Sequence, residues 1–299
     1  MSQLDFKGRV AVITGAGRGL GRDYALLLAS LGAKVVVNDI GSSMAGAGAD
    51  TQPADEVVRD IIAKGGIAVA NFDTVATEDG GAAIVEAALS HFGKVDILIH
   101  NAGNVRTSLL SEMTLEDFDA VLNVHLRGGF NVLKAAYGPM IKAGYGRVVM
   151  TSSVGGIYGF PTQGNYAAAK AGLIGLTNIL AIEGAEHGVQ ANVIIPGAVT
   201  RMAEGLDTSF YPPMGPEMVA PLVAWLCHET CTLTGEKFIS IAGRIARLVV
   251  SETAGLYDPD WTIDTVASKA QQLMTDPELV TFPSQMDHIR YSCDMAKGQ

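Results

Sequence analysis

Tyr166 and Lys170 stand four residues apart in "GNYAAAK" (164–170), with only alanines between them. Positions i and i+4 share one face of a helix, so a phenol and an ammonium would lie side by side there. A free phenol ionises near pH ~10, too high for an efficient base at neutral pH. A neighbouring ammonium stabilises the phenolate and lowers that value. The small alanine side chains leave room for backbone or a ligand to approach. The same spacing also fits an exposed Tyr–Lys pair on a helix surface, so other groups must decide.

A second set lies in "VITGAGRGLGR" (12–22), where Gly15, Gly19 and Gly21 follow a β-type run and open a helical one. Their G-x-x-x-G-x-G spacing differs from G-x-G-x-x-G but meets the same need. That need is a tight turn, close backbone approach to a pyrophosphate and a helix N-terminus aimed at its charge. A turn of purely structural purpose is the alternative. Asp39 closes "VVVND", 24 residues after Gly15. A carboxylate there accepts ribose hydroxyls and repels a 2′-phosphate, which favours NAD. Arg18 and Arg22 pull towards NADP, because a guanidinium can pair with a phosphate. The reading prefers NAD.

Cys227, His228 and Cys231 crowd together in "LCHETC". Two thiols and one imidazole without a second ligand cluster read as a buried pair at a helix end, and no metal is expected.

These groups need a scaffold, and the chain repeats a short apolar run, a turn and a helical stretch. "RVAVIT" (9–14), "AKVVVND" (33–39), "IAVANF" (67–72), "VDILIH" (95–100), "GRVVMTS" (146–152) and "VQANVII" (189–195) are apolar throughout rather than alternating. That suits a parallel sheet buried on both faces. "EKFIS" (236–240) is a weaker seventh candidate. Helical stretches are expected over 20–32, 53–64, 77–92, 114–142 and 164–187. Alternating strands and helices predict an α/β, doubly wound Rossmann-type parallel sheet of about seven strands, with helices on both faces. One domain is expected over 1–244, followed by an extension over 245–299 that packs on the core or a neighbouring subunit. Within it 260–274 reads as a helix and 276–286 as irregular. The small-residue loop over 40–55 is expected near the nucleotide.

The 299 residues are 48% hydrophobic and 17% charged, with a formal net charge of −10. No basic run is present, which argues against nucleic-acid and anionic-membrane partners. Three cysteines do not make a disulfide framework. No apolar stretch reaches ~18 residues, the first ten lack a signal core and the last six match no common address. A soluble, cytoplasmic protein acting on a small molecule is expected.

"TGAGRGLG" (14–21), "NAG" (101–103), "NVHLRG" (123–128), "TSS" (151–153), "YAAAK" (166–170) and "PGAVTRM" (196–202) stand in the order of the short-chain dehydrogenases/reductases. Over roughly residues 6–243 the chain resembles that family. The resemblance implies Tyr166 as acid/base with Lys170 beside it, and Ser153, 13 residues upstream, as donor to the substrate oxygen. Ser152 is its possible rival. The resemblance further implies Asn123 as the helix residue whose carbonyl holds a relay water. Cofactor contacts carry over to Gly15, Arg18, Gly19, Leu20 and Gly21, to Asp39, and to Asp73, Thr74 and Val75. They also include Asn101, Ala102, Gly103, Tyr166, Lys170, Pro196, Gly197 and Val199.

Within the family, "VVVNDIG" (35–41), "VHLRGGF" (124–130), "YGRVVMTSSVGGIYG" (145–159), "LAIEGAEHGVQANVI" (180–194) and "VAPLVAWLCHETC" (219–231) resemble members acting on (3R)-3-hydroxyacyl-CoA thioesters. The implied activity is NAD-dependent interconversion of a secondary alcohol and a ketone. A hydroxysteroid or other secondary alcohol without CoA is the alternative, and a non-catalytic NAD-binding protein is a remote one. The resemblance also implies a homodimer or homotetramer paired through 114–142 and 164–187. The 200–216 loop and the tail are expected to shape the substrate pocket.

Overall fold

The computed structural model of the chain describes residues 4–200, 212–275 and 277–298. Residues 201–211 of the expected pocket loop, including the end of the "PGAVTRM" motif, lie outside the described residues. The chain divides into two compact units, Met1–Arg247 and Leu248–Gln299.

Six β-branched runs of the first unit form strands β1 (Val10–Thr14), β2 (Lys34–Asn38), β3 (Ile67–Asn71), β4 (Ile97–His100), β5 (Gly146–Thr151) and β6 (Val189–Gly197). They join β7 (Lys237–Ile241) and β8 (Arg244–Leu248) in one sheet of order β3-β2-β1-β4-β5-β6-β7-β8. Every neighbouring pair from β3 through to β7 is parallel. The strand β8 was not expected. Ala242 and Gly243, with φ of +49° and +77°, connect it to β7. Two successive left-handed residues make the tight turn of an antiparallel hairpin. Asparagine or glycine normally marks its first position, and alanine hides it.

Alternate residues of each central strand serve two cores. Ala11, Ile13, Val35, Val37, Ile97 and Ile99 pack against α1 (Gly19–Ser30), α2 (Gln52–Ala63) and α8 (Ala220–Cys227). Val10, Val12, Val36 and Leu98 face α3 (Glu78–Phe92), α5 (Gly128–Ala143) and α7 (Gly164–Gly184). Burial on both faces explains why these strands read as unbroken apolar runs.

The stretch expected as one helix over 114–142 is three pieces. Thr114 caps α4 (Leu115–Leu122) by accepting from the Asp117 N–H, a π-helical turn covers Asn123–Arg127, and α5 follows. Between β5 and α7 lies the single turn α6 (Gly155–Tyr158).

In the second unit Glu252–Thr253 (β9) pairs antiparallel with Leu279–Val280 (β10). Its helices α9 (Ile263–Thr275) and α10 (Gln285–Lys297) bury none of their described side chains. Both α10 and β10 were unexpected.

Candidate active site

The strand order reverses between β1 and β4, and at the carboxyl ends of the strands lies a cleft of about 390 Å³. Open α/β sheets bind ligands at this switch point. Gly15, Arg18, Gly19 and Leu20 line the cleft from the turn after β1, and Asp39 from the end of β2. Asp73, Thr74 and Val75 follow β3, and Asn101, Ala102 and Gly103 follow β4. Ser153 after β5, Tyr166 and Lys170 on α7, and Pro196 and Gly197 on β6 complete its walls.

Three of the expected residues do not line it. A side chain on Gly21 would run into the Gly15 carbonyl oxygen, so this glycine lets α1 pack on the turn. Asn123 opens the π-helical turn, and its successors Val124 and His125 face the cleft instead. Val199 donates its N–H to the Met214 carbonyl at 2.7 Å, while its neighbours Ala198 and Thr200 line the wall.

Helix α7 brings Tyr166 and Lys170 onto one face, with Lys170 Nζ 5.6 Å from the Tyr166 ring centre. Lys170 is buried and donates to the Thr151 carbonyl at 2.6 Å. Burial pushes its ammonium down to about 7. The Tyr166 hydroxyl is hydrogen-bonded to Ser153, yet burial wins and raises the phenol above its ordinary value. This corrects the expectation that the ammonium dominates: the Tyr166 phenol is protonated at neutral pH. The two serines separate by their partners. Ser152 is buried and donates to the Lys170 carbonyl at 2.8 Å, whereas Ser153 lines the cleft beside Tyr166.

The cleft fits a dinucleotide. Gly15 has φ +63°, and a Cβ there would lie 2.7 Å from Ala102 Cα, so only glycine leaves this cradle open. Asp39 accepts from the Gly17 N–H at 2.9 Å and the Gly41 N–H at 2.7 Å, which holds its carboxylate at the end of β2. Arg22 is committed to Asp60 at 2.8 Å, and Arg18 alone of the two turn arginines lines the cleft. Asn104 Oδ1 and Thr151 Oγ1 are buried on residues of the wall and have no partner.

Several wall residues were not singled out from the sequence, two of them, His125 and Thr151, although they lie within quoted motifs. Asn104, His125, Gln163 and Thr151 line the cleft. Gln163 is set by a parallel bridge to Ser108. The loop after β2 crosses to the segment after β4. There the Val105 N–H donates to the Met44 carbonyl at 2.9 Å, and Arg106 Nε to the Ala45 carbonyl at 3.1 Å. Arg106 is held in turn by Asp117 at 3.0 Å. Ser42 and Gly46 of this loop line the cleft, in keeping with the expectation for 40–55.

Cys227 and Cys231 are buried core residues, and both nitrogens of His228 are engaged, by Thr230 and the Asp5 carbonyl. Among the described residues no group of three or more His, Cys, Asp or Glu could hold a metal, and no helix is long and apolar enough to cross a membrane.

A family model of short chain dehydrogenases matches residues 9–209. The peroxisomal multifunctional enzyme type 2 of mouse is 46% identical over 298 residues, 99% of this chain and 38% of the relative. The solved full-length enzyme of that name from Drosophila melanogaster superposes with a TM-score of 0.84 at 37% identity, over 99% of this chain and 50% of its own. The chain therefore spans half or less of these two relatives. A short chain dehydrogenase from Mycobacterium avium superposes with a TM-score of 0.80 at 38% identity, over 93% of this chain and 99% of its own. With fold, motif order and family match in agreement, this chain belongs to the short-chain dehydrogenase/reductase family.

Proposed function

We propose that the protein is an NAD-dependent dehydrogenase interconverting a (3R)-3-hydroxyacyl-CoA thioester and its 3-keto form. The observation that carries this reading is the convergence of Ser153, Tyr166 and Lys170 on the wall that also holds the glycine turn and Asp39. A nicotinamide cofactor follows from family membership. The preference for NAD rests on Asp39, held by two backbone N–H groups, and on Arg22 being tied to Asp60. When bound, the nicotinamide supplies the carbon that accepts or gives the hydride.

The chain's own residues divide the remaining work. Ser153 donates to the substrate oxygen and orients it towards Tyr166. Tyr166 gives its proton to that oxygen in reduction and takes it back in oxidation. Lys170, with a value near neutrality, supports the phenolate as it forms. Gly15, Gly19 and Leu20 present the turn and the start of α1 to the pyrophosphate. Asp73, Thr74 and Val75 would hold the adenine, and Asn101, Ala102, Gly103, Pro196 and Gly197 would line the rest of the cofactor's path. Asn123 acts from the π-helical turn through its carbonyl.

The acyl-CoA assignment rests on the similarity to the mouse and fly multifunctional enzymes. The exposed apolar side chains Leu110, Tyr158 and Phe160 suit an acyl chain. We assign 1–244 to the dehydrogenase and 245–299 to a C-terminal extension. A homodimer or homotetramer is supported by Phe130 on α5 and Ile179 and Ile182 on α7, all exposed. We place the protein in the cytoplasm, although the mouse relative is named for the peroxisome.

Reduced-cofactor production on a panel of (3R)-3-hydroxyacyl-CoA thioesters and hydroxysteroids tests the reading. Turnover of the thioesters with NAD is expected, and Tyr166→Phe should bind NADH normally while losing at least about 10²-fold in kcat. Turnover of steroids alone would move the substrate assignment, and an absolute requirement for NADP would overturn the role of Asp39.

A further inference from the structure

We infer that His125 is a positioning residue for Tyr166. The two rings meet edge to face, with centres 5.2 Å apart and planes at 83°. His125 is buried, lines the cleft and sits in the middle of the π-helical turn. Irregular turns of this kind recur at functional sites because they re-aim a side chain.

A hydrogen-bonded chain of fixed direction holds the imidazole from behind. The Thr14 hydroxyl oxygen accepts from the N–H groups of Asn101 and Ala102, both at 3.1 Å. Its own proton therefore goes to His100 Nδ1 at 3.0 Å. That leaves His100 Nε2 bearing hydrogen, which it donates to the His125 carbonyl at 2.8 Å. The ring of His125 is anchored separately through Nε2, which faces the Asn104 carbonyl oxygen at 2.8 Å and the Asn104 N–H at 3.1 Å and serves one of them, donating to the first or accepting from the second. Its Nδ1 is buried without a partner. A lone pair is cheaper to bury unpaired than an N–H, so the Nε2–H tautomer is the one that fits.

The ring also has no slack on the side of the β4 loop, since a Cβ on Gly103 would run into its Cε1. Gly103 is thus glycine partly because His125 needs the space. The imidazole presents Tyr166 with a rigid neutral wall and limits the swing of the phenol away from Ser153. Burial and the neighbouring Lys170 ammonium both oppose a proton on His125, in agreement with a wall that does not change charge.

The inference rests on Tyr166 being the acid/base group of the proposed reaction, and the experiment separates the two. Wild type, Tyr166→Phe, His125→Ala, His125→Phe and His125→Asn are compared for kcat, KM and NADH affinity by fluorescence. His125→Ala is expected to lose roughly 10- to 100-fold in kcat, with KM and cofactor affinity within about threefold, as for a misplaced reacting group. His125→Phe keeps a ring and should recover to within about threefold of wild type. His125→Asn keeps a donor for Asn104 but no ring, and should fall with His125→Ala. Wild-type kcat in His125→Ala, equal losses of kcat and cofactor affinity, or rescue by Asn rather than Phe would each overturn the inference. Should His125→Ala not fold, the contrast between Phe and Asn decides. An active Tyr166→Phe would instead overturn the proposed chemistry.

Discussion

Lys170, His100 and His125 share one buried neighbourhood, and each holds its proton less firmly there than in water. Burial is the first cause in all three, and the Lys170 charge adds to it for the histidines. His100 is pushed down to about 4 from 6.5. Below pH 6.5 the unfolded chain therefore binds more protons than the folded one, and stability falls as pH drops. For His100 the loss runs from 6.5 to about 4 and approaches roughly 3 kcal/mol at its end. His125, also lowered by burial, adds a loss of the same sign. Urea unfolding at pH 7 and pH 4.5 should show this, and His100→Gln should flatten part of the slope; equal stability at both pH values would sink the account. Lys170 works in a higher window, where stability rises between about 7 and 10.5 as the unfolded chain alone retains its proton. The Tyr–Lys spacing was readable because a helix fixes which residues share a face. The direction of the Tyr166 shift was not, because burial is set by segments far away in the chain.

Strands and helices of the first unit were largely readable, since runs buried on both sides leave no alternation to confuse with another pattern. The breaks were harder to see. The π-helical turn at Asn123–Arg127 keeps helical periodicity on both sides, so 114–142 looks continuous until the hydrogen bonds are known. For α10 a signal existed: Ser284 accepts from the Asp287 N–H at 3.2 Å, a cap spaced as S-x-x-D ahead of the helix. Gly21 shows how one motif can contain two kinds of residue, since it joins α1 to the β1 turn without reaching the cleft. Gly21→Ala should thus lower thermal stability, by about 3 kcal/mol at the upper end of overpacking costs. Its loss of cofactor affinity should follow from that displacement. A variant as stable as wild type in thermal unfolding would mean the contact yields easily.

At the scale of the whole molecule, the site draws on strands separated by most of the sequence, and only the order of the motifs made that convergence foreseeable. His125, Asn104 and Gln163 carry no spacing rule, and they became visible only when the chain closed around the cleft. The loop after β2 tied to the segment after β4 has a kinetic consequence. In the sheet β1 lies between β2 and β4, so this tie joins the loops on either side of the strand that leads into the glycine turn. We expect a nucleotide bound in the cleft to exchange more slowly for this tie, which Arg106 fastens to the Ala45 carbonyl. Arg106→Ala should therefore release NADH several-fold faster in stopped-flow displacement, with capture accelerated alongside. An unchanged release rate would show the tie to be loose already. Where cofactor release limits turnover, the pace of the proposed reaction would be set by an arginine that does not line the cleft.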